Sequence, residues 1–153
     1  MHTLEGIINE IPLFQGMTEA HRELIAGCAS NSVFEPGDHL CRQGAPADHF
    51  WVVREGRVTL EIHVPGRGAI TVQTLSDNDV VGWSWLLPPY EWHFDVRALT
   101  KVRALQINAR CIRDKCALNL ALGHDLMVRF SQLMVQRLEA TQLQLLDVYG
   151  DHE

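Results

Sequence analysis

Between residues 33 and 107 the chain is divided into short apolar stretches by frequent turn residues, and this pattern limits the fold more than any other feature. The stretches are rich in Val, Ile, Thr and Trp, and Pro65-Gly66-Arg67-Gly68 is a typical separator. Many short strands at this spacing indicate a sandwich or a jelly roll. Residues 58–62 and 70–74 alternate with period two around that turn, which predicts a hairpin with one buried face.

Helical patterns flank this β region on both sides. From Thr18 to Ala29, apolar residues at helical spacing follow a threonine cap, which predicts a short amphipathic helix. After Asn108, a suitable N-cap, Gly and Pro nearly vanish and helix formers dominate to Tyr149. We therefore expect a single domain over 1–153, with a helical part over 1–32, a β-roll over 33–107 and C-terminal helices over 108–149.

The C-terminal segment carries apolar residues at steps of three and four, as coiled-coil seams do. One helix of about thirty residues would be about 45 Å long, longer than the roll, so part of its apolar stripe would stay exposed in a monomer. We therefore predict a parallel homodimer through Ala117 to Val148. A helix folded wholly against its own roll is the alternative. The expected interface residues are Met127, Phe130, Met134, Leu138, Thr141 and Leu145.

Composition excludes several classes of function. The 153 residues carry a formal net charge of −6 at pH 7, and their basic residues are scattered, which argues against a nucleic-acid partner. No positively charged N-terminal flank precedes an apolar run, and no apolar stretch approaches the roughly 20 residues of a membrane span, so we expect a cytoplasmic protein. The sequence also lacks a nucleophile elbow, HExxH, P-loop and GxGxxG motif, which argues against an enzyme.

Four cysteines, at positions 28, 41, 111 and 116, form no CxxC pair. We expect them to be reduced thiols without a redox or metal-binding role. The histidines contain no HxH pattern, so no metal site is predicted.

Several short motifs, taken together, are specific enough to indicate one protein family. These are Pro12-Leu13-Phe14, Met17-Thr18-Glu19, Phe34-Glu35-Pro36-Gly37-Asp38, Gln43-Gly44 and Glu55-Gly56-Arg57-Val58. They resemble the cyclic nucleotide-binding domain of the catabolite-activator and Fnr regulator superfamily. The stretch from Arg129 to Thr141 is similar to the dimer helix of the catabolite activator. The resemblance implies a mainly β fold with flanking helices, a double-stranded β-helix or jelly roll followed by a long dimerisation helix. In the full-length regulators a helix-turn-helix domain follows that helix, and we expect none here.

The resemblance also locates a ligand site. The family binds the cyclic phosphate through a Gly, a Glu, a short helix and an Arg, in which amide groups and the Arg hold the phosphate and the Glu accepts the ribose hydroxyl. Here Gly82 is kept, whereas the Glu position holds Trp83 and the Arg position holds Trp92. The two indoles either fill the emptied pocket or form a remodelled site that stacks a nucleotide or other planar ligand.

The candidate pocket residues follow from this alignment. They are Gly82, Trp83, Ser84, Trp85, Trp92, His93, Thr141 and Gln142. Arg97 is the nearest substitute cation, but it lies five residues from Trp92, an odd offset that places it on the opposite face of a strand. We therefore expect Arg97 to be a structural charge.

These observations predict a stand-alone, dimeric regulatory or sensor domain with a degenerate phosphate-binding cassette. It would not bind cyclic AMP in the usual way and would act through a protein partner. The alternative is an accessory subunit of a multisubunit redox enzyme, such as a soluble hydrogenase.

Overall fold

The computed structural model describes residues 3–150, which begin with two short helices and a 3₁₀ turn. Helix α1 spans Leu4–Glu10, the 3₁₀ turn Pro12–Phe14 and helix α2 Glu19–Ala26. Thr18 caps α2, as expected, because its hydroxyl accepts from the amide of His21. The helix ends before the expected Ala29, since that residue already begins the first strand.

Eight antiparallel strands form two four-stranded sheets. The strands are β1 (Ala29–Phe34), β2 (His39–Cys41), β3 (His49–Glu55), β4 (Val58–Val64), β5 (Gly68–Leu75), β6 (Val80–Val81), β7 (Asp95–Ala98) and β8 (Val102–Asn108). One sheet has the order β1-β8-β3-β6 and the other β2-β7-β4-β5. Neighbours distant in sequence, such as β1 and β8, are paired, as in a jelly roll. The predicted fold class is therefore confirmed.

The hairpin predicted around Pro65-Gly66 is formed by β4 and β5, paired from Val58 with Leu75 to Val64 with Gly68. Its base is buried, but its outer part is not: Ile62, Ile70 and Val72 are all exposed. The expectation of one buried face is wrong for this part, because the core reaches only the first half of β4.

Two helices follow the sheets. Helix α3 spans Ala109–Leu118, and its predicted cap is confirmed because Asn108 accepts from the amide of Cys111. Helix α4 spans Leu120–Gly150. Its first turns enter the core through Leu122 and Leu126, whereas all residues from 138 to 149 are exposed. The long C-terminal helix is confirmed, and part of its apolar surface is left uncovered by this chain.

Phe130 requires a correction, because it was expected at the dimer interface. It is fully buried and packs edge-to-face on Phe50 and Trp85, with ring centroids 5.2 and 5.1 Å away. A residue enclosed in its own core cannot contact a partner subunit. Five of the exposed apolar side chains of α4 follow heptad-like steps of seven, three, seven and four, in a stripe that retains the expected Leu138 and Leu145. These residues are Val128, Val135, Leu138, Leu145 and Tyr149.

The expectation of four reduced cysteines is wrong for two of them. Cys28 and Cys111 form a disulfide across a sequence separation of 83 residues. They meet because β1 and β8 are paired and the amide of Asn108 donates to the carbonyl of Cys28. Cys41 and Cys116 are free thiols, and burial raises the pKa of Cys41 to about 12.

Within residues 3–150, no helix is both long enough and apolar enough to cross a membrane.

Candidate functional site

The segment that replaces the phosphate-binding cassette connects β6 to β7. It contains two hydrogen-bonded turns, closed by Leu86 N to Trp83 O and by Tyr90 N to Leu87 O, both at 3.0 Å. The described residues between β6 and β7 form no helix, although the family resemblance implies a short one. The segment therefore lacks the helix N-terminus whose free amides would hold a phosphate.

Trp92 occupies the space that this segment encloses. Its side chain is only 5% exposed and stacks on Trp51, with ring centroids 5.8 Å apart. The indole lies directly on Gly82, which has a φ of +100°, and a Cβ at that position would overlap the ring. Gly82 is therefore required here for two reasons, its left-handed backbone and the close approach of Trp92.

The cavity that remains beside Trp92 is very small. Its volume is about 10 Å³, roughly the space of one water molecule. Sites for small molecules usually measure about 300 to 1,000 Å³. The lining residues are Leu60, Gly82, Trp83, Ser84, Trp92, Phe94, Val96 and Arg137.

Arg137 also lines the cavity, although the sequence analysis did not place it there. It comes from α4, and its guanidinium lies 4.9 Å from the centroid of the Trp83 ring, a cation–π contact. It also donates to the carbonyl of Val80, 57 residues away in sequence. Burial lowers the pKa of this guanidinium, so the cation is held at the cavity in a largely desolvated state.

The eight expected pocket residues separate into two groups. Gly82, Trp83, Ser84 and Trp92 line the cavity together.

The other four lie elsewhere, which corrects their assignment to the pocket. Trp85 is fully buried and stacks on Phe50 with centroids 4.7 Å apart, in the core rather than the cavity. His93 is exposed. Thr141 and Gln142 are exposed on α4, one turn beyond Arg137, and the Thr141 hydroxyl donates to the Arg137 carbonyl at 2.9 Å.

Arg97 lies outside the cavity, as its odd offset from Trp92 indicated. Its Nε and Nη2 donate to the two carboxylate oxygens of Glu61 at 3.1 and 3.0 Å. These hydrogen bonds lower the pKa of Glu61. The neighbouring Val96 and Ala98 are buried on the other face of β7. Arg97 is therefore occupied by a structural ion pair.

Helix α3 holds the segment in place through Arg113. This side chain donates to the carbonyls of Trp85 and Ala47 at 2.9 and 3.3 Å, and its guanidinium lies 4.3 Å from the centroid of the Tyr90 ring. The segment is thus fastened at two points to a helix that also packs on α4.

No group of three or more His, Cys, Asp or Glu side chains within residues 3–150 is arranged to hold a metal ion.

Comparison with known proteins agrees with this architecture. The family model of the cyclic nucleotide-binding domain matches residues 32–119. A Geobacter metallireducens GS-15 structure described as a cyclic nucleotide-binding protein is 26% identical, with a TM-score of 0.80 over 90% of this chain and 99% of that one.

Two further structures share the fold. The regulatory subunit of a cAMP-independent protein kinase A from Trypanosoma brucei is 26% identical, with a TM-score of 0.66 over 82% of this chain and 44% of that one. The Thermus thermophilus catabolite activator protein is 21% identical, with a TM-score of 0.69 over 88% of this chain and 61% of that one. The curated relatives, which include yeast cAMP-dependent protein kinase regulatory subunits, are longer, and this chain spans 15% to 28% of their length.

Proposed function

Because this chain belongs to the cyclic nucleotide-binding domain family, we propose that it is a dimeric cytoplasmic regulatory module whose ligand site is filled by its own Trp92. It does not bind cyclic AMP or cyclic GMP in the family's usual way, and it acts through a protein partner. The observation that carries this proposal is the cavity of about 10 Å³ left beside the Trp92 indole.

The chemistry of the site supports the loss of phosphate binding. The cassette has neither the family's Arg nor a helix N-terminus, and a charge-assisted phosphate contact contributes about 1.5 to 3 kcal/mol. Trp92 must also leave its buried position, which costs about 1.5 to 3 kcal/mol of apolar burial. Together these terms weaken cyclic nucleotide binding by about a hundredfold to ten-thousandfold.

The Trp83 and Arg137 pair supports a closed site as well. In the family's mode of binding, the Glu at the Trp83 position accepts the ribose hydroxyl, whereas an indole offers only an N–H donor. Arg137 already has partners in the Trp83 ring and the Val80 carbonyl. Its guanidinium would have to leave both to reach a phosphate. The related Trypanosoma brucei subunit belongs to a cAMP-independent kinase, so a domain of this fold can work without that ligand.

Calorimetry of cyclic AMP and cyclic GMP binding tests this proposal. We expect no binding by the wild type up to millimolar nucleotide. The double variant Trp92→Arg with Trp83→Glu restores both polar anchors and should gain measurable affinity. Trp83→Glu alone is the matched control and should not, because Trp92 still fills the cavity. Wild-type binding at low micromolar concentration would contradict the proposal and would mean that Arg137 or Arg97 has taken over the phosphate.

The uncovered face of α4 supports the dimer. Val128, Val135, Leu138 and Leu145 are each more than 40% exposed and lie on one side of the helix, away from the roll. Pairing this face with that of a second copy removes its apolar surface from water.

Light scattering tests the dimer with two variants on α4. Leu138→Asp places a charge in the proposed seam and should produce monomers or aggregates. Gln136→Asp adds the same charge outside the seam and should leave a dimer. A dimer that persists in Leu138→Asp, or a monomeric wild type, contradicts the assignment.

The proposal that this domain acts through a protein partner rather than through DNA rests on its net charge and on its relatives. The net charge of −6 disfavours phosphate-backbone contacts, and the yeast relatives are regulatory subunits of an enzyme. Copurification from native cells should retain a partner in stoichiometric amount. A saturable, competitor-resistant gel shift on DNA at physiological salt and nanomolar protein would contradict this part.

A further inference from the structure

The disulfide between Cys28 and Cys111 links the end of α2 to the start of α3. This link is called the α2–α3 junction below. Cys28 follows α2 and precedes β1, and Cys111 is in the first turn of α3. Two hydrogen bonds also cross the α2–α3 junction: Asn108 N donates to Cys28 O at 2.9 Å, and Lys115 Nζ donates to Leu24 O at 2.7 Å. These hydrogen bonds keep the two sides together whether or not the sulfurs are bonded.

The disulfide is also reachable from the surface. A cleft of about 280 Å³ is lined by both cysteines and by Gly27, Ser30, His49 and Gln106. Cys28 is 7% exposed, and Cys111 is the more exposed of the two. Access to a sulfur in the folded state is what distinguishes an exchangeable disulfide from a structural one.

The α2–α3 junction is connected to the segment between β6 and β7 through Arg113. Arg113 lies two residues after Cys111 and donates to the carbonyls of Trp85 and Ala47. The disulfide therefore fixes the turn of α3 from which the segment containing Trp83 and Trp85 is held.

We propose that Cys28 and Cys111 form a redox switch, reduced in the folded protein by a dithiol, that sets how firmly α3 holds the segment between β6 and β7. One thiolate of the dithiol attacks Sγ of Cys111, and the bond to Cys28 breaks. The Cys28 thiolate takes a proton from water. The second thiol of the dithiol then displaces the Cys111 thiolate, which is also protonated, and the reductant leaves as a disulfide. The switch does not depend on whether Trp92 excludes nucleotides.

The first test is reduction by dithiothreitol well below the melting temperature. Intact-mass spectrometry after N-ethylmaleimide labelling under denaturing conditions should count two thiols in the oxidised protein and four after reduction. The far-UV circular dichroism spectrum, recorded before denaturation, should be unchanged by reduction. Reduction opens a loop of 83 residues and should lower the melting temperature by about 5 to 15 °C. Hydrogen exchange of residues 83–90 should become faster.

Serine variants provide the controls. Cys28→Ser and Cys111→Ser should melt at the temperature of the reduced wild type and no longer respond to dithiothreitol. Cys116→Ser, in the same helix, should respond as the wild type does. The proposal is overturned if the bond is reduced only when the protein unfolds, if oxidised glutathione fails to close it again, or if reduction leaves both the melting temperature and the exchange of residues 83–90 unchanged.

Discussion

The two faces of strand β7 have opposite chemistry. On the inner face, Val96 lines a cavity closed by apolar and aromatic groups, with Arg137 as the cation at its edge. On the outer face, Arg97 forms a two-point ion pair with the buried carboxylate of Glu61. Arg97, the guanidinium near Trp92 in sequence, thus lies on the face away from the cavity, whereas Arg137, which reaches the cavity, comes from a distant helix.

This difference fits the proposal that the ligand site is closed while the fold is kept. In that proposal the buried Trp92 indole takes the place of a ligand. The contact between Trp83 and Arg137 joins the roll to α4. On the outer face of β7, Arg97 and Glu61 already neutralise each other.

The largest loss of stability is expected when the buried indole beside the inner face of β7 is removed. Trp92→Ala removes a buried indole and should lower the free energy of unfolding by about 3 to 5 kcal/mol in a urea titration. The half-buried Trp83 is the matched position, and Trp83→Ala should cost about 1 to 2 kcal/mol. Equal losses in the two variants would mean that the indoles do not differ in their role.

A smaller effect with a distinct pH profile is expected on the outer face. The pKa of Glu61 is lowered in the folded state, chiefly by hydrogen bonds from Arg97, so its contribution to stability is present above the pKa of the unfolded chain and is lost as the pH falls through the folded value. Glu61→Gln should therefore cost about 1 kcal/mol at pH 7, discounted because Arg97 is partly exposed. The difference from wild type should shrink below about pH 4.

Urea titrations between pH 2.5 and 7 measure this profile. Glu55→Gln is the control, because the ion pair of Glu55 with Arg103 is long, at 3.6 Å, and exposed. It should have little effect at any pH. A loss in Glu61→Gln that is the same at pH 3 and pH 7 contradicts the assignment of this pair.

The smallest effect on stability is expected at the edge of the cavity. Arg137→Met keeps the aliphatic stem but removes the cation over Trp83, so the free energy of unfolding should fall by no more than about 1 kcal/mol. The ¹⁹F resonance of 5-fluorotryptophan at position 83, assigned with Trp83→Phe, should shift. Arg97→Met should leave it in place. A shift in Arg97→Met and none in Arg137→Met would mean that Arg97, and not Arg137, lies beside Trp83.

Features that depend on neighbouring residues were predictable from the sequence. The caps at Thr18 and Asn108 use a side chain that bonds an amide three residues on, and the β4–β5 hairpin follows alternation around a local turn. The placement of Trp92 beside Gly82 was also accessible, because the family motif aligns both positions.

Features set by long-range packing were not predictable. Phe130 and Leu138 both fit an apolar helical stripe, and only the contact with Phe50 and Trp85 decides which of them faces inward. Arg137 reaches Val80 across 57 residues, and the bonded cysteines are 83 residues apart. Spacing along the chain carries no signal for such encounters.

Indole rescue of Trp92→Gly tests most directly the claim that Trp92 fills the ligand site. The variant leaves a cavity the shape of the missing ring, and an apolar cavity in a protein core binds a matching small molecule. Added indole should raise its melting temperature in a saturable way, by about 3 to 6 °C at ten times the dissociation constant. Wild type and Trp83→Gly should not respond. A Trp92→Gly variant that indole does not stabilise would contradict the account.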